Sequence, residues 1–428
     1  MKDHISTLYS KFLDSSGIST DTRKIKPNSI FFALKGANFD GNAYADKAIE
    51  NGALLAVVDD PNQKGESKLI VDNVLETLQE LANYHRKEIN IPVIAITGSN
   101  GKTTTKKLTL EVLSKKFKVK ATAGNLNNHI GVPLTLLSFT EDLELGIVEM
   151  GANHQKEIAS LCKIAEPNYG LITNFGKAHL EGFGGVEGVI KGKSELYDYL
   201  IKHDGLIFFN RDDEIQVKKA VQHKNYSIGE KSLSDCQVIF NEAQPYVSVE
   251  YSNLIIESRL IGRYNFKNIS AAIGIGRYFG VDKENIKEAI EDFEPEEMRS
   301  QIIKKNGKEI VLDAYNANPT SMESALKSFK EMSSGEQTVI LGDMFEIGED
   351  SEKEHRYILE VCELLKFDCV WVCGKQFKKV STEFEGVSGF ESTNQIKEYV
   401  KENPAQLNSQ ILIKGSRGMK LESILDVV

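Results

Sequence analysis

The stretch VIAITGSNGKTTT, Val93 to Thr105, joins an apolar run to a glycine-containing turn and then to a helix-compatible segment, Lys106 to Lys116. Val93, Ile94, Ala95 and Ile96 read as a buried strand. Gly98 and Gly101 allow a tight turn in which successive N–H groups face an anion, and the helix N-terminus beyond adds partial positive charge. Lys102 can then reach the β- and γ-phosphates of a nucleotide, and Thr103 or Thr104 offers a hydroxyl to Mg²⁺. The spacing is G-x-x-G-K-T, shorter than the common G-x-x-x-x-G-K-[ST], because Ile96 stands where that pattern needs its first glycine. A Gly-Lys-Thr triplet alone decides little. Set between a strand and a helix, it predicts a nucleotide loop and an α/β sheet around it.

Composition limits what such a loop serves. With 428 residues, 41% hydrophobic and 27% charged, the chain has the size of two or three soluble domains. No apolar run approaches the roughly 18 residues that would span a bilayer. The start, MKDHISTLYSKFLD, lacks the apolar core of a signal peptide, so a cytoplasmic protein without a membrane span is expected. Five cysteines without a C-x-x-C pattern fit reduced thiols rather than a disulfide frame or zinc site. Cys369 and Cys373, in DCVWVCG, read as buried packing. A net charge of −10 argues against a nucleic-acid partner, while leaving room for a positive pocket that takes a small anion.

Residues 1–90 read as a small α/β unit. Its strand-like runs are Ser29 to Leu34, Leu54 to Val58 and Lys68 to Val71, with a helical pattern from Ala43 to Asn51. In Asp21-Thr22-Arg23-Lys24 a hydroxyl beside an arginine suits a phosphate or uridine contact, or equally a solvated turn. A helical segment, Val74 to Lys87, leads into the linker Asn90-Ile91-Pro92. Residues 91–293 add strands at Leu145 to Val148, Tyr169 to Ile172 and Gly205 to Phe209, and a β-rich stretch from Val238 to Leu260. This alternation predicts a mainly parallel sheet with ligands at the carboxyl ends of its strands. Glu149 stands at one such end, where an acid can hold Mg²⁺ directly or through water. His179 follows the next, in TNFGKAHLEGFG; taken singly it is an ordinary polar loop residue. Lys191 and Lys193, in IKGKSELYDYL, read plainly as a solvated basic face. GIGRYFG, Gly274 to Gly280, is not a dinucleotide fingerprint, because its spacing is wrong and it lies inside a helical pattern, Phe266 to Phe279.

The acidic stretch Glu294-Pro295-Glu296-Glu297 marks the start of a third unit, residues 294–428. Strands at Ile310 to Asp313, Thr338 to Leu341, Val370 to Cys373 and Ile411 to Lys414 alternate with helices in a Rossmann-like pattern. It carries no phosphate loop and is expected to close over the first site.

These motifs resemble the Mur ligases, ATP-dependent amide-forming enzymes of peptidoglycan synthesis, over nearly the whole chain. TGSNGKTTT at 97–105, EMG at 149–151, NFGKAHLE at 174–181 and KSELY at 193–197 are similar to that family in general. GNLNNHIGVPLTLL at 124–137, DAYNANPTSM at 313–322 and LGDMFEIGEDSEKEH at 341–355 resemble the member that adds D-alanyl-D-alanine to UDP-N-acetylmuramoyl-tripeptide. The resemblance implies an N-terminal UDP-substrate domain, a central P-loop ATP-binding parallel sheet and a C-terminal Rossmann-like domain, in a monomer acting on small molecules. It implies ATP and two Mg²⁺ sites. Gly98, Asn100, Gly101, Lys102, Thr103 and Thr104 would surround the phosphates, with Lys102 on the transferring group and Thr103 on the first Mg²⁺ beside Glu149. His179 would ligate the second Mg²⁺, and Lys193 matches a carbamylated lysine whose CO₂ adduct faces that metal. Asn268 matches an adenine contact, Arg299 a phosphate contact from the closing domain, and Asn316 and Asn318 a nucleotide clamp. Thr22 and Arg23 would hold the UDP end, with Asn125 and Asn128 nearer the peptide. Asn42, Ser194 and Met298 depart from the family pattern. The competing readings are a sister ligase that forms the tripeptide, a folate-polyglutamate ligase, a P-loop nucleotide switch, and a binding protein without turnover.

Overall fold

A computed structural model of the chain describes residues 2–295, 298–332 and 335–428. Glu296 and Glu297, part of the acidic stretch that marks the third unit in the sequence, lie outside the described residues. Three α/β units follow one another, as the sequence predicts.

The first is built on a four-stranded parallel sheet in the order Ile18–Ser19, Ile30–Phe32, Leu55–Val58, Lys68–Ile70. Its two middle strands are buried along their whole length, as continuous apolar runs in a doubly covered parallel sheet must be. The helix Val74–Ile89 starts on Asn73, whose side chain accepts from the Glu76 N–H, and ends on Asn90 in the left-handed region. It buries Val74, Leu78, Leu81 and Ala82, one face at helical spacing. The same helix is anchored on the second unit. Arg86, 5% exposed, donates to the Ala165 carbonyl at 2.9 Å, the Glu166 carbonyl at 3.1 Å and Asn168 Oδ1 at 2.9 Å.

The second unit carries a seven-stranded sheet, in the order Cys236–Gln237, Asn225–Gly229, Leu206–Asn210, Tyr169–Ile172, Val93–Thr97, Leu145–Glu149, Val119–Ala121. Every pairing in it is parallel. The β-rich stretch forms a separate three-stranded antiparallel sheet, Ile239–Ala243, Tyr246–Tyr251 and Leu254–Ile261. The helices Lys102–Ser114 and Asn265–Tyr278 pack together over the parallel sheet. Their close approach explains GIGRYFG: a Cβ at Gly276 would lie 2.3 Å from Val112 Cγ1, and one at Gly274 2.5 Å from Ile228. Those glycines admit neighbouring side chains, not a dinucleotide.

In the third unit six strands run in the order Gln301–Lys305, Lys308–Asp313, Gln410–Lys414, Gln337–Gly342, Cys369–Cys373, Val387–Phe390. All are parallel except the first, which pairs antiparallel with its neighbour. The four strands predicted from sequence are the four inner ones. The two edge strands escaped because QIIKK and VSGF lack the apolar run of a buried strand; edges of this kind stay half exposed. Cys373 is buried and Cys369 half-buried in their strand, and all five cysteines are free thiols.

Candidate active site

The strand Val93–Thr97 delivers the chain into Gly98, at φ 139°, and Gly101, at φ 80°. Sterics add to the backbone requirement. A Cβ at Gly98 would lie 2.0 Å from Thr173 Oγ1, and one at Gly101 2.3 Å from Asn268 Oδ1. The neighbouring strand end, Thr173-Asn174, fixes the turn from outside. Asn174 Oδ1 accepts from the Asn100 N–H at 3.1 Å, Thr173 Oγ1 donates to the Asn100 carbonyl at 2.6 Å, and Ser99 Oγ donates to the Gly176 carbonyl at 2.9 Å. This bracing takes up the Ser99 and Asn100 N–H groups, so those left for an anion are the first-turn N–H groups of the helix Lys102–Ser114, ahead of the Thr105 N–H that bonds the Gly101 carbonyl. Lys102 Nζ folds back to donate to the carbonyls of Gly98 at 2.7 Å and Ser99 at 3.2 Å. Desolvation pushes its ammonium below the usual lysine range, Glu149 opposes that shift, and Arg299 adds to it.

Glu149 ends the strand Leu145–Glu149 and is buried. Its Oε1 accepts from Asn127 Nδ2 at 2.8 Å and Thr103 Oγ1 at 3.3 Å, while Oε2 lies 3.1 Å from Lys106 Nζ. Nothing in the sequence pattern marks Lys106 or Asn127 for this site. Lys106 sits in a helix whose pattern gives no hint that a lysine is buried there. Asn127 lies inside GNLNNHIG, between Asn125 and Asn128.

Lys193 corrects its plain sequence reading. It is not on a solvated basic face; it is 1% exposed, in the middle of the helix Val186–Lys202. Lys191, two residues earlier, is the exposed one. The Lys193 ammonium donates to the Ala152 carbonyl at 2.9 Å and stands 4.9 Å over the Phe183 ring. Burial first, then the charge of Lys102, drives its pKa well below the ordinary lysine value, against the pull of Glu157 and Glu195. His179 adopts a left-handed conformation at the head of the short helix Leu180–Phe183. Its Nδ1 pairs with the Glu346 carboxylate of the third unit, a partner absent from the sequence reading. That contact holds Glu346 below the usual carboxylate range.

The helix Asn265–Tyr278 brings Asn268 beside the loop, where Thr105 Oγ1 donates to its Oδ1 at 3.1 Å and its Nδ2 donates to Asn265 Oδ1 at 2.8 Å. From the third unit, Asn318 Nδ2 donates to Asn100 Oδ1 at 2.7 Å, and the Arg299 guanidinium lies 3.7 Å over the Tyr315 ring. Asn316 turns its side-chain oxygen to the Ala317 N–H at 2.9 Å, and its carbonyl accepts from Lys414 Nζ at 3.3 Å.

These groups line one cleft of about 1450 Å³. It gathers Asn100, Lys102, Thr103, Thr104, Glu149, His179 and Asn268 from the second unit with Arg299, Asn316 and Asn318 from the third, and includes Asn125 and Asn128 at its other side. Gly98 and Lys193 are not among its lining residues. Thr22 and Arg23 are outside it: they form a surface turn, Thr22–Lys24, in which Arg23 pairs with Asp21 at 2.8 Å. Phe209, Ile228 and Ala271 give the cleft an apolar wall that suits the flat ring of a purine. The glycine cradle and Lys102 fit a polyphosphate. Among the described residues no group of three or more His, Cys, Asp or Glu side chains is placed to hold a metal by itself. The paired Thr103 hydroxyl and Glu149 carboxylate fit Mg²⁺, which takes one or two protein ligands and completes its shell with phosphate and water.

Comparison with known proteins agrees with this geometry. Residues 14–97 match the Mur ligase family, catalytic domain; residues 96–276 the Mur ligase middle domain; and residues 298–417 the Mur ligase, glutamate ligase domain. The chain is 35% identical over 422 residues to the UDP-N-acetylmuramoyl-tripeptide--D-alanyl-D-alanine ligase of Bacillus subtilis, covering 96% of this chain and 92% of that one. A crystal structure of MurF from Acinetobacter baumannii superposes with a TM-score of 0.87 at 29% identity, covering 96% of this chain and 92% of that one. The fold is also that of the MurF ligase from Thermotoga maritima in complex with ADP, with a TM-score of 0.85 at 24% identity and 97% coverage of both chains.

Proposed function

The chain belongs to the Mur ligase family, and from that premise we infer that it is the ATP-dependent ligase joining D-alanyl-D-alanine to UDP-N-acetylmuramoyl-tripeptide in peptidoglycan precursor synthesis. The observation that carries this reading is one cleft in which a braced phosphate loop faces the strand ends of a second α/β unit.

A carboxylate is a poor electrophile and oxide a poor leaving group, so the tripeptide carboxylate is first converted by ATP to an acyl phosphate with release of ADP. The free amine of D-alanyl-D-alanine attacks that carbonyl, and the tetrahedral intermediate collapses by expelling phosphate. The protein contributes position and charge. Lys102 leaves the carbonyls of Gly98 and Ser99 for the transferring phosphate, and the first-turn N–H groups of Lys102, Thr103 and Thr104 hold the others. Asn268 and the wall of Phe209 and Ile228 seat the adenine. Arg299, Asn316 and Asn318 approach from the third unit.

Thr103 and Glu149 would hold one Mg²⁺, and His179 with Lys193 would face a second. Bound Mg²⁺ neutralises charge on the phosphates. Lys106 supplies the counter-charge on Glu149 Oε2 and leaves Oε1 beside Thr103. The depressed pKa of Lys193 favours the neutral amine, the form that adds CO₂ to give a carbamate and a proton. Thr22 and Arg23 would take the UDP end once Arg23 releases Asp21. Asn128, whose Oδ1 accepts from the N–H groups of Ile130 and Gly131, keeps its amide N–H groups for the peptide, with Asn125 beside it. The enzyme works as a cytoplasmic monomer on small molecules; no helix among the described residues is long and apolar enough to cross a membrane.

The test is acceptor dependence. ADP release should require both the UDP-linked tripeptide and D-alanyl-D-alanine, assayed with tripeptides ending in lysine and in diaminopimelate. Release with the shorter precursor and a single amino acid would move the chain to a sister ligase, and release without any amine would make it a nucleotide switch.

A further inference from the structure

Beyond the catalytic groups, the third unit grips one residue of the second from several sides at once. That residue is Lys177. Its backbone N–H donates to Thr320 Oγ1 at 2.9 Å, and its ammonium donates to Glu354 Oε1 at 2.7 Å. The same ammonium lies 5.6 Å over the Tyr357 ring. Thr320 belongs to the helix Pro319–Glu331, Glu354 and Tyr357 to the helix Ser351–Leu365. An acidic, aromatic seat is thus built by two helices of one unit for a single lysine of another.

The seat is made for a cation. The Glu354 side chain is 5% exposed, and its Oε2 is buried without a hydrogen-bond partner among the described residues. A carboxylate so placed is destabilising unless a counter-charge arrives. Lys177, itself 43% exposed, brings that charge from across the interface.

Lys177 also directly follows Gly176, whose carbonyl accepts from Ser99 Oγ, and lies three residues beyond Asn174, which holds the Asn100 N–H. The chain from 174 to 177 therefore has one end on the phosphate loop and the other in the third unit. We propose that the Lys177–Glu354 ion pair, with the Thr320 hydroxyl on the Lys177 N–H, is a strut through which docking of the third unit fixes the phosphate loop in its transfer geometry. Lys177 and Glu354 are positioning residues; neither touches the reacting atoms. The strut rests on the ligase reading for its catalytic consequence, but its mechanical half stands apart from it.

The experiment compares Glu354→Gln, Lys177→Met and the charge exchange K177E with E354K against the parent, by acceptor-dependent ADP release and by the distance between fluorophores on the first and third units with ATP bound. Each single variant should lower kcat roughly ten- to a hundredfold, as small misplacement of reacting groups does. The KM for the UDP-linked tripeptide should stay unchanged, and the distance between the units should lengthen or broaden. The charge exchange should recover most of both losses. Singles with kcat within about twofold of the parent, or an exchange no better than the singles, would overturn the strut. If Lys177→Met fails to fold, Glu354→Gln, isosteric and changed only in charge, decides by the same outcomes. A parent without acceptor-dependent turnover would sink the ligase reading alone, and the distance measurement would still judge the strut.

Discussion

The second and third units are both parallel α/β sheets with polar residues at their strand ends, yet they use those residues in opposite ways. At the end of Val93–Thr97 the chain is held by its neighbours through the Ser99 and Asn100 N–H groups, the first-turn N–H groups of the helix Lys102–Ser114 remain for an anion, and Lys102 rests on two carbonyls it can release. In the third unit the strand-end side chains are already taken up by partners within the unit. Asp343 accepts from the N–H groups of Gln376 and Phe377 at 3.0 and 2.9 Å, and Lys414 pairs with Asp313 at 2.5 Å while both are largely buried. What this unit offers the cleft is that paired strand end, Asp313 with Lys414, together with Arg299, Asn316 and Asn318 from the loops beyond and the start of the helix Pro319–Glu331. An architecture that places ligands at strand ends does not by itself say which sheet holds them. The hydrogen-bond accounting of each end does.

That contrast can be broken in order of size. Lys102→Ala should lower kcat by roughly three orders of magnitude, the scale of losing a charged group on a transferring phosphoryl, with an unchanged denaturation midpoint; a tenfold loss or less would show that the loop does not carry the transfer. Lys193→Ala should lower kcat by roughly a hundredfold or more, and added bicarbonate should not restore it, because the variant has no amine to carbamylate. Full activity in that variant would remove Lys193 from the site. Asp343→Ala should act the other way. It leaves two N–H groups at the head of the helix Lys375–Ser381 without their acceptor, and should cost about 1–3 kcal/mol in urea unfolding, with kcat little changed in the folded fraction. A large kcat loss with full stability would show that this strand end faces substrate after all. Arg23→Ala should be smallest: its pair with Asp21 is solvent-exposed and contributes little to stability. The expected change is a rise of a few-fold in KM for the UDP-linked substrate, read in initial rates; an unchanged KM would place the UDP end elsewhere.

How much was legible in the chain follows from the same physics. The strand, the two positive-φ glycines and the lysine of VIAITGSNGKTTT lie within one short window, so local pattern sufficed for them. Most inner strands of the two large sheets are apolar runs legible in sequence; the inner strand Asn225–Gly229, NYSIG, and the lysine-rich edge Gln301–Lys305 are not. The parts of the site that escaped are those completed from far along the chain. Lys106 meets Glu149 only because two parallel strands and a helix fold together, and Glu346 reaches His179 only because one unit docks on another. Lys193 shows the limit from the opposite side. Its helix carries lysines on both faces, and nothing in IKGKSELYDYL says which of Lys191 and Lys193 turns inward.

The anchoring of Arg86 on the carbonyls of Ala165 and Glu166 has a reach beyond packing. It joins the turn of Thr22 and Arg23 to the same frame as the phosphate loop. A sugar nucleotide held at one end of that frame would present its peptide at a set distance from the γ-phosphate. The first two units would then act as a ruler. An arm of the wrong length would be refused by falling short of the mark or overshooting it, before any side chain reads its chemistry.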